Sequence, residues 1–270
     1  MRALYCLLGD PVAHSRSPAL HARAFALLGV DAVYAPCRVL AAELPLAVAG
    51  LKALGAAGFN VTVPHKEPAS LLVDQIDPHA RRIGAVNCVV RDGEALVGHN
   101  TDAPGLLRAL RARGIDPAGA RVVVVGAGGS ARAAAWALSP QAAKMTIMNR
   151  TASKARALAA LVQAAGCAAE SASLDDTSAL REATLVVQCT SIGLSTNDLP
   201  FDPALLPADC ALVDLVYAPG GKTALLRRFA GRTVDGLDVL VQQAIASLEL
   251  WLARPQLDQL AGPLREAALA

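Results

Sequence analysis

Short apolar runs alternate with helix-period patterns along most of the 270 residues, the rhythm of an α/β fold with largely parallel sheets. Ala3 to Leu8 predicts a first strand that closes in Gly9-Asp10-Pro11. Ser17-Pro18 then predicts a helix start, with the serine as N-cap and the proline as first helical residue, which leaves Ser15 unexplained. In GFNVTVPHK (58–66), Phe59, Val61 and Val63 alternate with Asn60 and Thr62, as in an extended strand with one polar face, and Pro64 ends the ladder. VNCVVRDGEALVGHN (86–100) predicts a β-hairpin turning at Asp92-Gly93. The next helix has Thr101 or Asp102 as its cap and Gly114 as its stop.

A second series opens with the strand RVVVVG (121–126), followed by a glycine turn, a helix over 130–139 and the strand KMTIMN (144–149), a βαβ unit of Rossmann type. Further strands are predicted in TLVVQCTS (184–191) and ALVDLVY (211–217). Leu237, Leu240, Val241, Ala244, Ile245, Leu248 and Trp251 fall on one face of a last long helix. The expected organisation is α/β in two domains. Residues 1–103, mostly parallel and completed by returning C-terminal helices of 238–270, form the first; residues 104–237 form a Rossmann dinucleotide-binding domain.

Composition narrows the function classes. Although 54% of the residues are apolar, much of that is alanine and no run approaches the roughly 18 residues a membrane span needs. The first apolar run is also too short for a signal peptide. The expectation is a cytoplasmic protein without a membrane partner. Cys6, Cys37, Cys88, Cys167, Cys189 and Cys210 are scattered, with no CxxC pair, which predicts reduced thiols and no metal. A net charge of +2 and 3% aromatic residues argue against nucleic acid as a partner.

Chemistry gathers at two places. In GAGGSA the glycines Gly126 and Gly128 would let a pyrophosphate approach the backbone at a helix N-terminus. Where an NAD site carries an acid for the ribose, this chain has Asn149, Arg150 and Thr151; an arginine there suits a 2′-phosphate and predicts NADP. Between Pro117 and Ala169 there is no Asp or Glu, while Arg121, Arg132, Lys144, Arg150, Lys154 and Arg156 are present, as in a site kept positive for a phosphate-rich ligand. In the first domain, Lys66 follows a strand's carboxyl end and Asp102 begins a helix. Hydride transfer to a carbonyl creates an alkoxide that must take a proton, and a Lys–Asp pair would serve it. Plainer roles exist for each, a surface charge and a helix cap. His14 and His21 are read as structural, and His65, next to the lysine, is expected to point the other way in an extended chain and takes no role.

HSRSP, GFNVTVPHK, GAVN, NTD with Gly105 after it, GAGGSA, NRT, DLVYAP and the closing QQA run in order from Gly9 to Trp251, and in this the chain resembles the shikimate dehydrogenase family. The resemblance implies NADP-dependent reduction of 3-dehydroshikimate to shikimate, in a cleft between two domains that close over the ligands. It implies Lys66 and Asp102 as the catalytic pair. Ser15 and Ser17 would bind the substrate carboxylate, both pointing one way from an extended segment, and Thr62, Asn87, Tyr217 and Gln243 would complete the substrate contacts. Cofactor contacts are implied for Gly126, Ala127, Gly128, Gly129, Ser130, Asn149, Arg150, Thr151, Lys154, Thr190, Leu215 and Gly236. The partner is a small-molecule substrate, the assembly a monomer or homodimer. Ala22, Cys88, Gln188, Asp238 and Val239 depart from the usual pattern near substrate and nicotinamide. A paralogue acting on quinate or aminoshikimate is therefore the nearest alternative, and an NADPH-sensing module without turnover the alternative of another class.

Overall fold

The computed structural model describes residues 2–218 and 221–270, so the proline of DLVYAP lies outside the described residues. The chain divides into two units, Met1–Gly105 with Leu240–Ala270, and Leu106–Val239.

The first unit carries β1 (Ala3–Gly9), α1 (Ser17–Leu28), β2 (Ala32–Arg38), α2 (Leu44–Ala53), β3 (Gly58–Val61), β4 (Gln75–Ile76), α3 (Pro78–Ile83), β5 (Cys88–Asp92) and β6 (Ala95–His99), then the first turn of α4 (Asp102–Ala112). Its sheet runs β2-β1-β3-β5-β6-β4. β1 pairs in parallel with β2 and β3, and β4 with β6, while the hairpin β5–β6 inserts two antiparallel pairings. The hairpin turns where the sequence predicts, with Gly93 at φ +58 supplying the left-handed conformation. On one face of the sheet Cys6, Leu8, Phe59 and Val61 pack against Leu44, Val48 and Leu51 of α2.

The second unit carries β7 (Arg121–Val125), α5 (Gly129–Leu138), β8 (Lys144–Met148), α6 (Ala152–Ala164), β9 (Ala169–Ala172), α7 (Ser178–Glu182), β10 (Leu185–Gln188), β11 (Ala211–Asp214), α8 (Ala224–Arg228) and β12 (Arg232–Val234). The sheet is all parallel in the order β12-β11-β10-β7-β8-β9. Its valine run has a simple cause: Val122 and Val124 enter one core and Val123 and Val125 the other, because side chains alternate across a sheet covered on both faces.

α9 (Gly236–Leu252) begins in the second unit and ends in the first, where α10 (Ala261–Leu269) follows it. Within the first unit, Trp251 donates from Nε1 to the Val89 carbonyl at 2.9 Å, and its ring lies 4.6 Å from that of Tyr5. Gly105 of α4 faces Gln243 of α9 so closely that a Cβ would sit 2.8 Å from the Gln243 amide nitrogen. The glycine after NTD is thus a packing requirement.

Four local expectations change. The α1 N-cap is Arg16, and Ser17 is the first helical residue, so the segment is a turn running into a helix and not extended; the Ser15 hydroxyl accepts the Ser17 N–H at 3.2 Å. α4 is capped by neither Thr101 nor Asp102: Asn100 Oδ1 accepts the Ala103 N–H at 3.2 Å. β3 ends at Val61, two residues early, as His65 N–H turns back to the Thr62 carbonyl at 2.8 Å, and Asn60 faces buried partners and not water. β11 ends at Asp214, because the buried Asp214 carboxylate accepts the Val216 N–H at 3.1 Å and the Thr223 hydroxyl at 2.5 Å and so bends the chain.

Candidate functional site

In the first unit four separate stretches deliver polar side chains to one place. Lys66 follows β3 after a turn that buries His65, whose Nε2 lies 2.7 Å from the Val39 carbonyl. Asn87 directly precedes β5, Thr101 and Asp102 open α4, and Gln243 comes from α9. Lys66 Nζ donates to Asp102 Oδ2 at 2.7 Å, and Asn87 Nδ2 donates to Asp102 Oδ1 at 2.8 Å. The Asn87 amide is oriented without ambiguity, since its Oδ1 accepts the Thr101 backbone N–H at 2.7 Å, a group that can only donate. Because Asn100 takes over the capping, both Asp102 oxygens are left for side chains.

The lysine and aspartate side chains are 12% and 18% exposed. They are thus open to a ligand while much of the surrounding water is excluded, a setting in which an ammonium and carboxylate can pass a proton to a bound oxygen. Ser15 and Thr62 are half-buried, Ser17 is buried, and the Ser17 hydroxyl bonds that of Tyr34. Tyr217 belongs to the second unit, half-buried just past Val216.

Three members of this cluster escape sequence reading: Tyr34, Asn60 and Ser247. The Tyr34 hydroxyl donates to Asn60 Oδ1 at 2.9 Å, and Asn60 Nδ2 donates to the Asn87 carbonyl at 3.0 Å and to Ser247 Oγ at 3.1 Å. Ser247 Oγ in turn lies 3.1 Å from Thr101 Oγ1. The available signal was a serine on the buried stripe of α9, beside Ala244 and Leu248. His21 is buried flat against Tyr34 at 4.1 Å, and its pKa is lowered to about 4 by burial.

In the second unit the implied cofactor residues lie along one edge of the sheet. Gly126 follows β7, Asn149 to Thr151 follow β8, Thr190 follows β10, Leu215 follows β11 and Gly236 follows β12, each just past the carboxyl end of its strand. The strand order reverses between β7 and β10, and open α/β sheets bind ligands at such a switch point. Gly126, at φ +117, lies against Cys189 and Thr190. Gly128 is exposed and extended, and a Cβ there would meet no protein atom within 4 Å. The turn is therefore open at the mouth of the α5 N-terminus, as a dinucleotide pyrophosphate requires, and the exposed Arg150 and Lys154 stand beyond β8. The residues present fit NADP.

The acid-free window is less uniform than its sequence suggests. Arg121 and Lys144 pair at the amino ends of β7 and β8, roughly 13 Å of strand from the glycine turn. Arg121 donates to the Glu182 carbonyl and Lys144 pairs with Glu170 at 2.8 Å, so neither is part of the cofactor edge. Among the departing residues, Gln188 braces the loop after β10 by accepting the Thr190 N–H at 2.9 Å, and Asp238 pairs with Arg113 at 2.6 Å. No described helix is long and apolar enough to cross a membrane, and no group of three or more potential metal ligands occurs among the described residues.

Against known proteins, residues 7–89 match the shikimate dehydrogenase substrate binding domain and residues 109–195 match shikimate / quinate 5-dehydrogenase. The NADP(+) shikimate dehydrogenase of Symbiobacterium thermophilum is 43% identical, over 98% of this chain and 92% of its own. Among solved structures, shikimate 5-dehydrogenase from Thermus thermophilus in complex with NADP(H) and shikimate superposes with a TM-score of 0.86 at 37% identity, covering 98% of both chains. Ligand-free 5-ketofructose reductase of a Gluconobacter species superposes equally well, at 0.86, with 35% identity and 98% of both chains covered.

Proposed function

Because the chain belongs to the shikimate dehydrogenase family, we propose that it is an NADP-dependent oxidoreductase that interconverts 3-dehydroshikimate and shikimate in aromatic amino-acid biosynthesis. The observation that carries this reading is the contact between Lys66 and Asp102, with Asn87 on the second carboxylate oxygen.

Bound at the glycine edge, NADPH supplies the hydride. Gly126 to Ser130 hold its pyrophosphate, Asn149 to Thr151 and Lys154 the ribose phosphate, and Thr190, Leu215 and Gly236 the nicotinamide end. Lys66 donates a proton to the carbonyl oxygen as negative charge develops there, and in the reverse direction accepts the hydroxyl proton. Asp102 keeps the ammonium aimed and is itself fixed by Asn87. Ser15 and Ser17 bind the substrate carboxylate, while Thr62, Asn87, Tyr217 and Gln243 contact the remaining polar groups. The protein works in the cytoplasm as a monomer or homodimer, in a reducing environment that keeps thiols such as its six cysteines out of disulfides.

The test is a panel of kcat/KM values for shikimate and quinate with NADP+ and NAD+. Shikimate with NADP+ gives the highest value. A preference for quinate, or for NAD+, overturns the corresponding half of the reading, and absence of turnover with every pair overturns the whole.

A further inference from the structure

Ser247 is fully buried and has one proton to share among the Gln243 carbonyl at 3.0 Å, Asn60 Nδ2 at 3.1 Å, Thr101 Oγ1 at 3.1 Å and the Cys88 thiol. The carbonyl can only accept, so the serine proton goes there. Asn60 Nδ2 can only donate, and its assignment is fixed because it also donates to the Asn87 carbonyl while Asn60 Oδ1 accepts from Tyr34. Ser247 is then the acceptor for the Thr101 hydroxyl. With that proton spent, a Thr101 lone pair faces Asn87 Nδ2 at 3.0 Å, and the other Nδ2 proton goes to Asp102 Oδ1 at 2.8 Å. One direction of donation thus runs from Lys66 and Asn87 into Asp102, and from Thr101 into Ser247.

We propose that Ser247 is a positioning residue for the Lys66–Asp102 pair, acting through Thr101 and Asn87; this deepens the reading of that pair as the centre of proton transfer and rests on it. Without the serine, the Thr101 proton has only longer alternatives, Asn87 Oδ1 at 3.3 Å and Gln243 Oε1 at 3.5 Å. Turning toward either withdraws the lone pair from Asn87 Nδ2 and loosens the amide that holds Asp102. Weaker donation lets the carboxylate and the ammonium it aims depart from the reacting geometry, so the loss falls on kcat and not on binding. The Cys88 thiol, pushed up to about 12 by burial, stays protonated and as a weak donor and acceptor competes little for Ser247.

The experiment measures kcat, KM for shikimate and the Kd of NADP+ for the wild type, Ser247→Ala, Ser247→Cys, Thr101→Val and the double variant Ser247→Ala/Thr101→Val. Ser247→Ala lowers kcat by about 3- to 10-fold, the worth of one hydrogen bond, and leaves KM for shikimate and the NADP+ Kd within about twofold. Ser247→Cys, which fills the space but accepts poorly, does the same with the fold intact. In the Thr101→Val background the Ser247→Ala loss disappears. Wild-type kinetics in both serine variants, a loss that persists undiminished without the Thr101 hydroxyl, or a loss carried by KM or the NADP+ Kd with kcat unmoved each overturn the proposal. A wild type inert toward shikimate overturns the underlying reading instead, and is seen before any variant is compared.

Discussion

Lys66 Nζ sits 2.7 Å from Asp102 Oδ2 although the two residues arrive from different elements, one after β3 and one at the first turn of α4. A partly exposed ion pair adds little to stability, and a surface pair would not need the second carboxylate oxygen held by a buried asparagine. Replacing Lys66 with Met therefore lowers kcat by about 10²- to 10⁴-fold, the usual worth of a positioned acid or base. The Kd of NADP+, whose proposed contacts all lie in the second unit, stays within about twofold, because a change in the first unit leaves those contacts intact. Steady-state kinetics with a fluorescence titration of the cofactor check both halves; near-normal turnover would remove Lys66 from the chemistry.

Two glycines of one turn are expected to fail in different ways. At Gly126, φ is +117 and a Cβ would sit 3.3 Å from the Cys189 backbone, so Gly126→Ala strains the protein itself. At Gly128 the backbone is extended and a Cβ meets nothing. Gly128→Ala thus leaves the melting temperature unchanged but places a methyl group where the pyrophosphate approaches, raising the NADP+ Kd about tenfold or more. Calorimetry and an NADP+ titration on the two variants separate these outcomes; equal NADP+ affinity for Gly128→Ala and wild type counts against this turn as the cofactor site.

The periodic parts of this molecule were legible in its sequence because they are local. Four consecutive valines predict a strand, and Asp92-Gly93 predicts a hairpin, whatever the rest of the chain does. Lys66 and Asp102 were legible through chemistry, as an acid–base pair for a developing alkoxide, whereas Asn87 came only through the family resemblance. What stayed hidden is non-local. Asn60 meets Ser247 across 187 positions, and nothing near either residue announces the other. Likewise β11 stops at Asp214 because a distant-looking Thr223 returns to its buried carboxylate, which a reading of strand propensity has no means to register.

Buried titratable groups in the two units make opposite demands on pH. Burial pushes the Asp214 carboxyl up to about 6, from an ordinary 3.8, so the folded state holds its proton more tightly than the unfolded chain. Its contribution is therefore complete below about pH 4 and is lost as pH rises toward 6. His21 is held down to about 4, from 6.5, and its contribution is complete above about pH 6.5 and lost as pH falls toward 4. Each shift is on the order of 3 kcal/mol, and over pH 4–6 the two slopes oppose each other. Replacing His21 with Phe, which preserves a ring against Tyr34, leaves the Asp214 slope uncompensated, so the variant loses melting temperature relative to wild type progressively as pH rises from 4 to 6.5. Asp214→Asn does the reverse: its deficit against wild type is largest near pH 4 and shrinks as pH rises. Calorimetric scans of the three proteins at half-unit steps of pH check both signs, and difference profiles that are flat across this window would show that neither group titrates as its burial requires.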